Sequence, residues 1–129
     1  MAAQKATMTL FTLSFLLVIV AAVNTAAGNI FLKYSRIATM GQPFFESLFS
    51  VYFLLGITCY AVNVIVFVKA LEGMPLSIAY PVLASLGFAL VVLASIVLFD
   101  ERLGVLQWAG LVLILCGIVL LVSKSAPAA

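Results

Sequence analysis

Charge punctuates this chain at intervals. Its ionised side chains are Lys5, Lys33, Arg36, Glu46, Lys69, Glu72, Asp100, Glu101, Arg102 and Lys124, and between them lie uncharged runs at residues 6–32, 47–68, 73–99 and 103–123. Each run is long enough, as a helix, to cross a hydrocarbon core of about 30 Å. The pattern predicts four helices, approximately 8–33, 46–70, 75–99 and 104–123. Polar and small residues inside them recur at three- and four-residue spacing, which gathers them on single helix faces.

In the first helix, Ser14, Ala21, Thr25, Gly28 and Asn29 form such a stripe, with Asn24 beside it and Lys33 continuing it towards the headgroups. Small residues let helices approach, so the stripe reads as a packing face. It reads equally as a site, because Asn24 and Asn29 each need a partner for an amide that hydrocarbon does not solvate. The second helix sets Tyr52, Gly56, Tyr60, Asn63 and Phe67 near multiples of a turn. Tyr60 and Asn63 share a face, as interhelical glue or as substrate contacts. In the third helix Pro81 removes an N–H and frees the carbonyl of Ser77, which must then face a neighbour or a watery cavity. Tyr80, Pro81, Ala84 and Gly87 share that side, either as a kink packed on a neighbour or as the lining of a path. The fourth helix presents Gly110, Leu113, Ile114 and Gly117 on one face suited to close helix contact.

The connections follow from the breakers. Tyr34 to Pro43 reads as a surface loop, Lys69 to Pro75 as a tight turn, and Asp100-Glu101 as acidic residues favouring the start of the fourth helix. The N-terminal run resembles a secretory leader only superficially: it is too long, and Asn24, Thr25 and Asn29 interrupt it, so a retained helix is expected.

Composition narrows the class further. The 129 residues are 67% hydrophobic and 8% charged, with a mean hydropathy of +1.38, more apolar surface than a water-soluble fold of this size hides. The net charge of +2 sits on no basic patch or soluble domain, so it says nothing of nucleic acid. Histidine is absent, and no nucleophile–base set or metal-ligand spacing appears, so no enzyme, metal or cofactor is expected. Cys59 and Cys116 stand alone in apolar helices and read as small hydrophobes. An even number of spans sets Lys5, Lys69 and Lys124 on one side and Lys33, Arg36 and Arg102 on the other. That tie gives the positive-inside rule no preference, as expected of copies that insert both ways, of a subunit oriented by a partner, or of chance at small counts. Four helices make a thin bundle, so a dimer is expected.

Pro75-Leu76-Ser77-Ile78-Ala79-Tyr80-Pro81, Gly87, Glu101-Arg102-Leu103 and Gly110 to Ile118, with Gly28, Lys33 and Cys59-Tyr60, resemble the drug/metabolite transporter superfamily (EamA-like). At four spans the chain is similar to the small multidrug resistance branch. The resemblance implies an all-α membrane fold of four transmembrane helices working as a dimer, often antiparallel. Helices one to three would line the pathway, and helix four would join protomers through Gly110, Leu113, Ile114 and Gly117. Members of that branch couple protons through a glutamate in helix one. Counting from Gly28 and Lys33, that position is Thr25, with Asn24 adjacent, and no span holds a carboxylate. In this the chain looks more like the aminoarabinose-phosphoundecaprenol flippase subunits, which move a lipid-linked sugar across the bacterial inner membrane.

The expectation is therefore a transporter carrying a polyprenyl-phosphate-linked sugar or similar lipid. An exporter of small organic cations or metabolites is the alternative, and an accessory subunit of a heterodimeric transporter is the third reading. Asn24, Thr25, Gly28, Asn29, Tyr60, Asn63, Tyr80 and Pro81 are the expected substrate contacts. Lys33, Arg36 and Arg102 are the expected phosphate contacts. The partner is a second copy, antiparallel in one arrangement, or a similar four-helix subunit.

Overall fold

A computed structural model describes residues 2–123. The order is α1 (Ala2–Ala38), α2 (Phe44–Ser47), α3 (Val51–Ala70), α4 (Leu76–Phe99) and α5 (Val105–Ser123), with no strand among the described residues. The helices α1, α3, α4 and α5 are each long and apolar enough to cross a membrane. The chain is a multi-pass, all-α membrane protein, and Lys124 lies outside the described residues.

Helix α1 is the spine. At 37 residues it runs about 55 Å, well beyond the hydrocarbon thickness. Both α3 and α4 pack on it, whereas α5 packs on α4. The core is small and lies along α1, where Val18 meets Ala70, Met74 and Ala79. Ala21, Ala22 and Ala26 are buried on the same helix, so backbones approach with little side chain between them. The closest crossing is between α1 and α3. A Cβ placed on Gly28 would stand 3.3 Å from Cys59 Cβ and 3.4 Å from the Gly56 carbonyl oxygen, and one on Gly56 would meet the Leu32 side chain at 2.8 Å. Asn24 Nδ2 donates to the Cys59 carbonyl in the same seam.

The first connection differs from expectation. Tyr34, Ser35 and Arg36 are helical, and α1 ends only at Ala38, because basic residues extend a helix and complement its C-terminal dipole. The chain turns at Gly41, whose φ of +88° suits glycine, and Pro43 follows. The expected helix 46–70 is also interrupted: α2 is a single short turn, and α3 starts afresh at Val51 with Ser50 Oγ accepting from the Phe53 N–H at 3.1 Å. Buried hydroxyls hold this connection against α1. Ser35 Oγ lies 2.6 Å from Ser50 Oγ, and Arg36 Nη1 donates to Ser47 Oγ at 3.1 Å.

The third connection also corrects the sequence reading. Asp100 does not open the fourth helix; it closes α4 in the left-handed conformation at φ +52°, which aspartate tolerates. Helix α5 begins at Val105, and its entry is held by Gln107 Oε1, which accepts from the Gly104 N–H at 2.7 Å. Helix α5 buries none of its residues within the protomer, and Leu113 is 73% exposed.

Candidate functional site

Helices α3 and α4, each packed on α1, leave a cavity of about 390 Å³ between the three. Its polar wall comes from two antiparallel neighbours, with Thr25 and Asn29 one turn apart on α1 and Tyr60 and Asn63 on one face of α3. Tyr80 of α4 stands at its rim, 59% exposed, with its ring edge-on to Phe67. The opposite wall is the apolar face of α4, including Leu83, Ala84, Gly87, Phe88 and Val91. Gly87 faces Thr25 across the cavity, where a Cβ would make ordinary contact at 3.9 Å from Thr25 Cγ2.

Hydrogen bonding decides what this wall offers. Thr25 Oγ1 donates to the Ala21 carbonyl at 2.9 Å, and Asn29 Nδ2 donates to the Thr25 carbonyl at 3.0 Å. Both bonds lie within α1, and the Asn29 side chain also hydrogen-bonds Tyr60 across to α3. The Oδ1 of Asn63 is buried and has no partner among the described residues. A buried carbonyl oxygen in that condition costs roughly 1–3 kcal/mol until a donor reaches it. No charged side chain lines the cavity. The site is a set of neutral amides and hydroxyls with two phenols, Tyr60 and Tyr80, suited to a polar uncharged group that can donate to Asn63 Oδ1 and poorly suited to a bare ion.

Towards the C-terminal end of α1 a second cavity, of about 220 Å³, shares Asn29 and Val91 with the first. It is lined by Lys33, Ser95, Phe99 and Glu101. Lys33 and Glu101 form an ion pair, and the Lys33 ammonium lies 4.3 Å from the Phe99 ring centroid. Tyr34 packs on Phe99 and on Tyr52 at this level, with ring centroids 5.0 and 6.0 Å away. Aromatic rings and paired charges together mark a membrane–water interface.

The structure therefore brings Thr25, Asn29, Tyr60, Asn63 and Tyr80 to one cavity and Lys33 to its neighbour. Other expected site residues stand elsewhere. Asn24 and Gly28 belong to the α1–α3 seam, because one is committed to the Cys59 carbonyl and the other has no side chain to offer. Pro81 lines an adjoining, largely apolar groove with Leu76, Ser77 and Leu121, which shares only Tyr80 with the cavity. Arg36 is spent on Ser47, and Arg102 is exposed and lines neither cavity. Of the expected interface residues, Gly110 and Ile114 line a groove between α5 and α4, while Leu113 and Gly117 face outward. Glu101, which lines the smaller cavity, is not among the expected site residues because a charge just past a span ordinarily only solvates a helix end. Its signal was the presence of Lys33 at the same end of the bundle.

Comparison with known proteins agrees with this architecture. The family model for the small multidrug resistance protein matches residues 13–114. The chain is 37% identical over 107 residues to the uncharacterized protein y4nH of Sinorhizobium fredii, covering 82% of this chain and 92% of that one. It is 30% identical over 109 residues to a probable 4-amino-4-deoxy-L-arabinose-phosphoundecaprenol flippase subunit, ArnE, of Photorhabdus laumondii, covering 84% and 96% of the two chains. A probable flippase subunit of the same description, ArnF of Shewanella sediminis, is 41% identical over 71 residues, 54% of this chain and 48% of that one. No solved structure matches the chain significantly. On the length of that family match and the four spans that carry it, the chain belongs to the small multidrug resistance family.

Proposed function

We propose that this membrane transporter carries a polyprenyl-phosphate-linked sugar, or a lipid of similar headgroup, between the leaflets of a bacterial inner membrane. The unpartnered Asn63 Oδ1 in an uncharged cavity carries the reading. A sugar hydroxyl supplies the donor that this oxygen lacks, and Thr25, Asn29, Tyr60 and Tyr80 surround it with further neutral polar groups. The phosphate would lie towards Lys33, while the polyprenyl chain stays in the bilayer. The relatives described as flippase subunits for an aminoarabinose-phosphoundecaprenol support the same class of cargo. The exporter alternative asks for a buried anion to receive a desolvated cation, and no lining residue provides one.

The working unit in this reading is a dimer, of two copies or with a similar four-helix subunit. The outward residues Leu113 and Gly117 of α5, with Gly110 and Ile114 behind them, form the contact. Liposomes carrying a fluorescent polyprenyl-phosphate-linked sugar test the function. Protein-dependent exchange of the probe between leaflets is expected, and exchange no faster than in protein-free liposomes would contradict the reading.

A further inference from the structure

The second cavity holds a pair of charges that a neutral headgroup site does not need. Lys33 and Glu101 come from different helices' ends and satisfy one another, with side chains 38% and 46% exposed. The pair closes the small cavity that continues from the headgroup cavity through Asn29 and Val91. An anion that takes Lys33 leaves Glu101 without its partner, exchanging one ion pair for another. A cation that takes Glu101 leaves Lys33 with the Phe99 ring but without its carboxylate. A headgroup carrying both charges replaces both partners at once and ends with one ion pair more than either single charge does. The other cations at this end do not substitute: Arg36 is bonded to Ser47, and Arg102 is outside the cavity.

We propose that the Lys33–Glu101 pair is a specificity filter for zwitterionic headgroups, the phosphoryl group exchanging onto Lys33 and an ammonium group onto Glu101. Glu101 is then a specificity-determining residue and not a helix-end charge. The inference rests on the proposed function for its route from the mouth into the larger cavity.

The test titrates the full chain, in nonionic detergent, with two soluble short-chain phosphodiesters, dihexanoyl phosphatidylethanolamine and dihexanoyl phosphatidylglycerol. They share the phosphate and differ in the amine. The ethanolamine probe should bind about fivefold more tightly, the value of one partly exposed ion pair. Glu101→Gln should abolish or reverse that ratio by raising affinity for the glycerol probe. The double variant Lys33→Glu/Glu101→Lys, which restores a pair with reversed polarity, should recover the preference and shows that folding is not the cause. Equal affinities in the unaltered protein, or a ratio indifferent to Glu101→Gln, would overturn the filter. Asn63→Leu separates the two readings: it should weaken both probes alike if the cavity takes the headgroup. If it weakens both while the ratio is one, the filter falls alone. A ratio near five that Asn63→Leu leaves with undiminished affinities supports the filter and removes the cavity.

Discussion

Asn63 and Asn24 are both amides inside apolar helices, and the structure predicts opposite consequences for replacing them with leucine. Asn24 Nδ2 donates to the Cys59 carbonyl across the α1–α3 seam. An interhelical hydrogen bond within a membrane contributes about 0.6 kcal/mol on average and up to about 1.7, so Asn24→Leu should destabilise the protomer by that amount. Asn63 Oδ1 is buried with no partner. Removing it relieves a desolvation penalty of roughly 1–3 kcal/mol, so Asn63→Leu should melt at or above the unaltered protein. Transport should behave the other way. A hydroxyl of the cargo that loses its acceptor costs on the order of 1–2 kcal/mol, and flipping by Asn63→Leu should fall about tenfold or more. Melting curves in detergent, run beside a liposome transport assay, read both quantities on the same preparation. An Asn63→Leu protein that melts early and loses activity in proportion would refute the reasoning, since Asn63 would then be interhelical glue.

Two further outcomes follow from the same geometry. Gly28→Leu should destabilise the fold by about 1–3 kcal/mol or more, because a Cβ at Gly28 is already 3.3 Å from Cys59 Cβ; Gly117→Leu, where a Cβ meets nothing within 4 Å, should leave protomer melting unchanged and weaken the dimer in crosslinking or sedimentation. Liposomes with an imposed pH gradient should show no gradient-dependent uptake of quaternary cations, since Thr25 stands where the family's proton-coupling glutamate is expected and no carboxylate lies within the spans; robust gradient-driven uptake would contradict an uncoupled site.

The four spans were legible because charge spacing and hydrocarbon thickness constrain them together. Helix ends were less so. Lys33 and Arg36 look like the limit of a span, yet α1 carries them to Ala38, since a charge marks the interface without breaking a helix. Gly41 and Pro43 supplied the true break. The pairing of Tyr60 with Asn63, and of Thr25 with Asn29, was readable from helical period alone, and these pairs do line one cavity. Which amide is glue was not readable, because Asn24 and Asn29 differ by rotation about α1, and the sequence does not tell which direction holds α3. Pro81 lines the neighbouring groove and not the cavity, with Tyr80 between the two, and the same missing rotation separates it from the site. The Lys33–Glu101 pair joins residues 68 positions apart (101 − 33 = 68), a distance at which only the fold supplies the contact.

The most direct test of the account is leaflet exchange of a headgroup-labelled polyprenyl-phosphate-linked sugar in proteoliposomes, scored by a membrane-impermeant quencher. The uncharged cavity with its unpartnered acceptor at Asn63 predicts that the protected inner-leaflet fraction becomes accessible at a rate set by the protein, and that Asn63→Leu slows it about tenfold while remaining folded. Exchange that is independent of the protein, or equally fast in folded Asn63→Leu, would contradict the central claim.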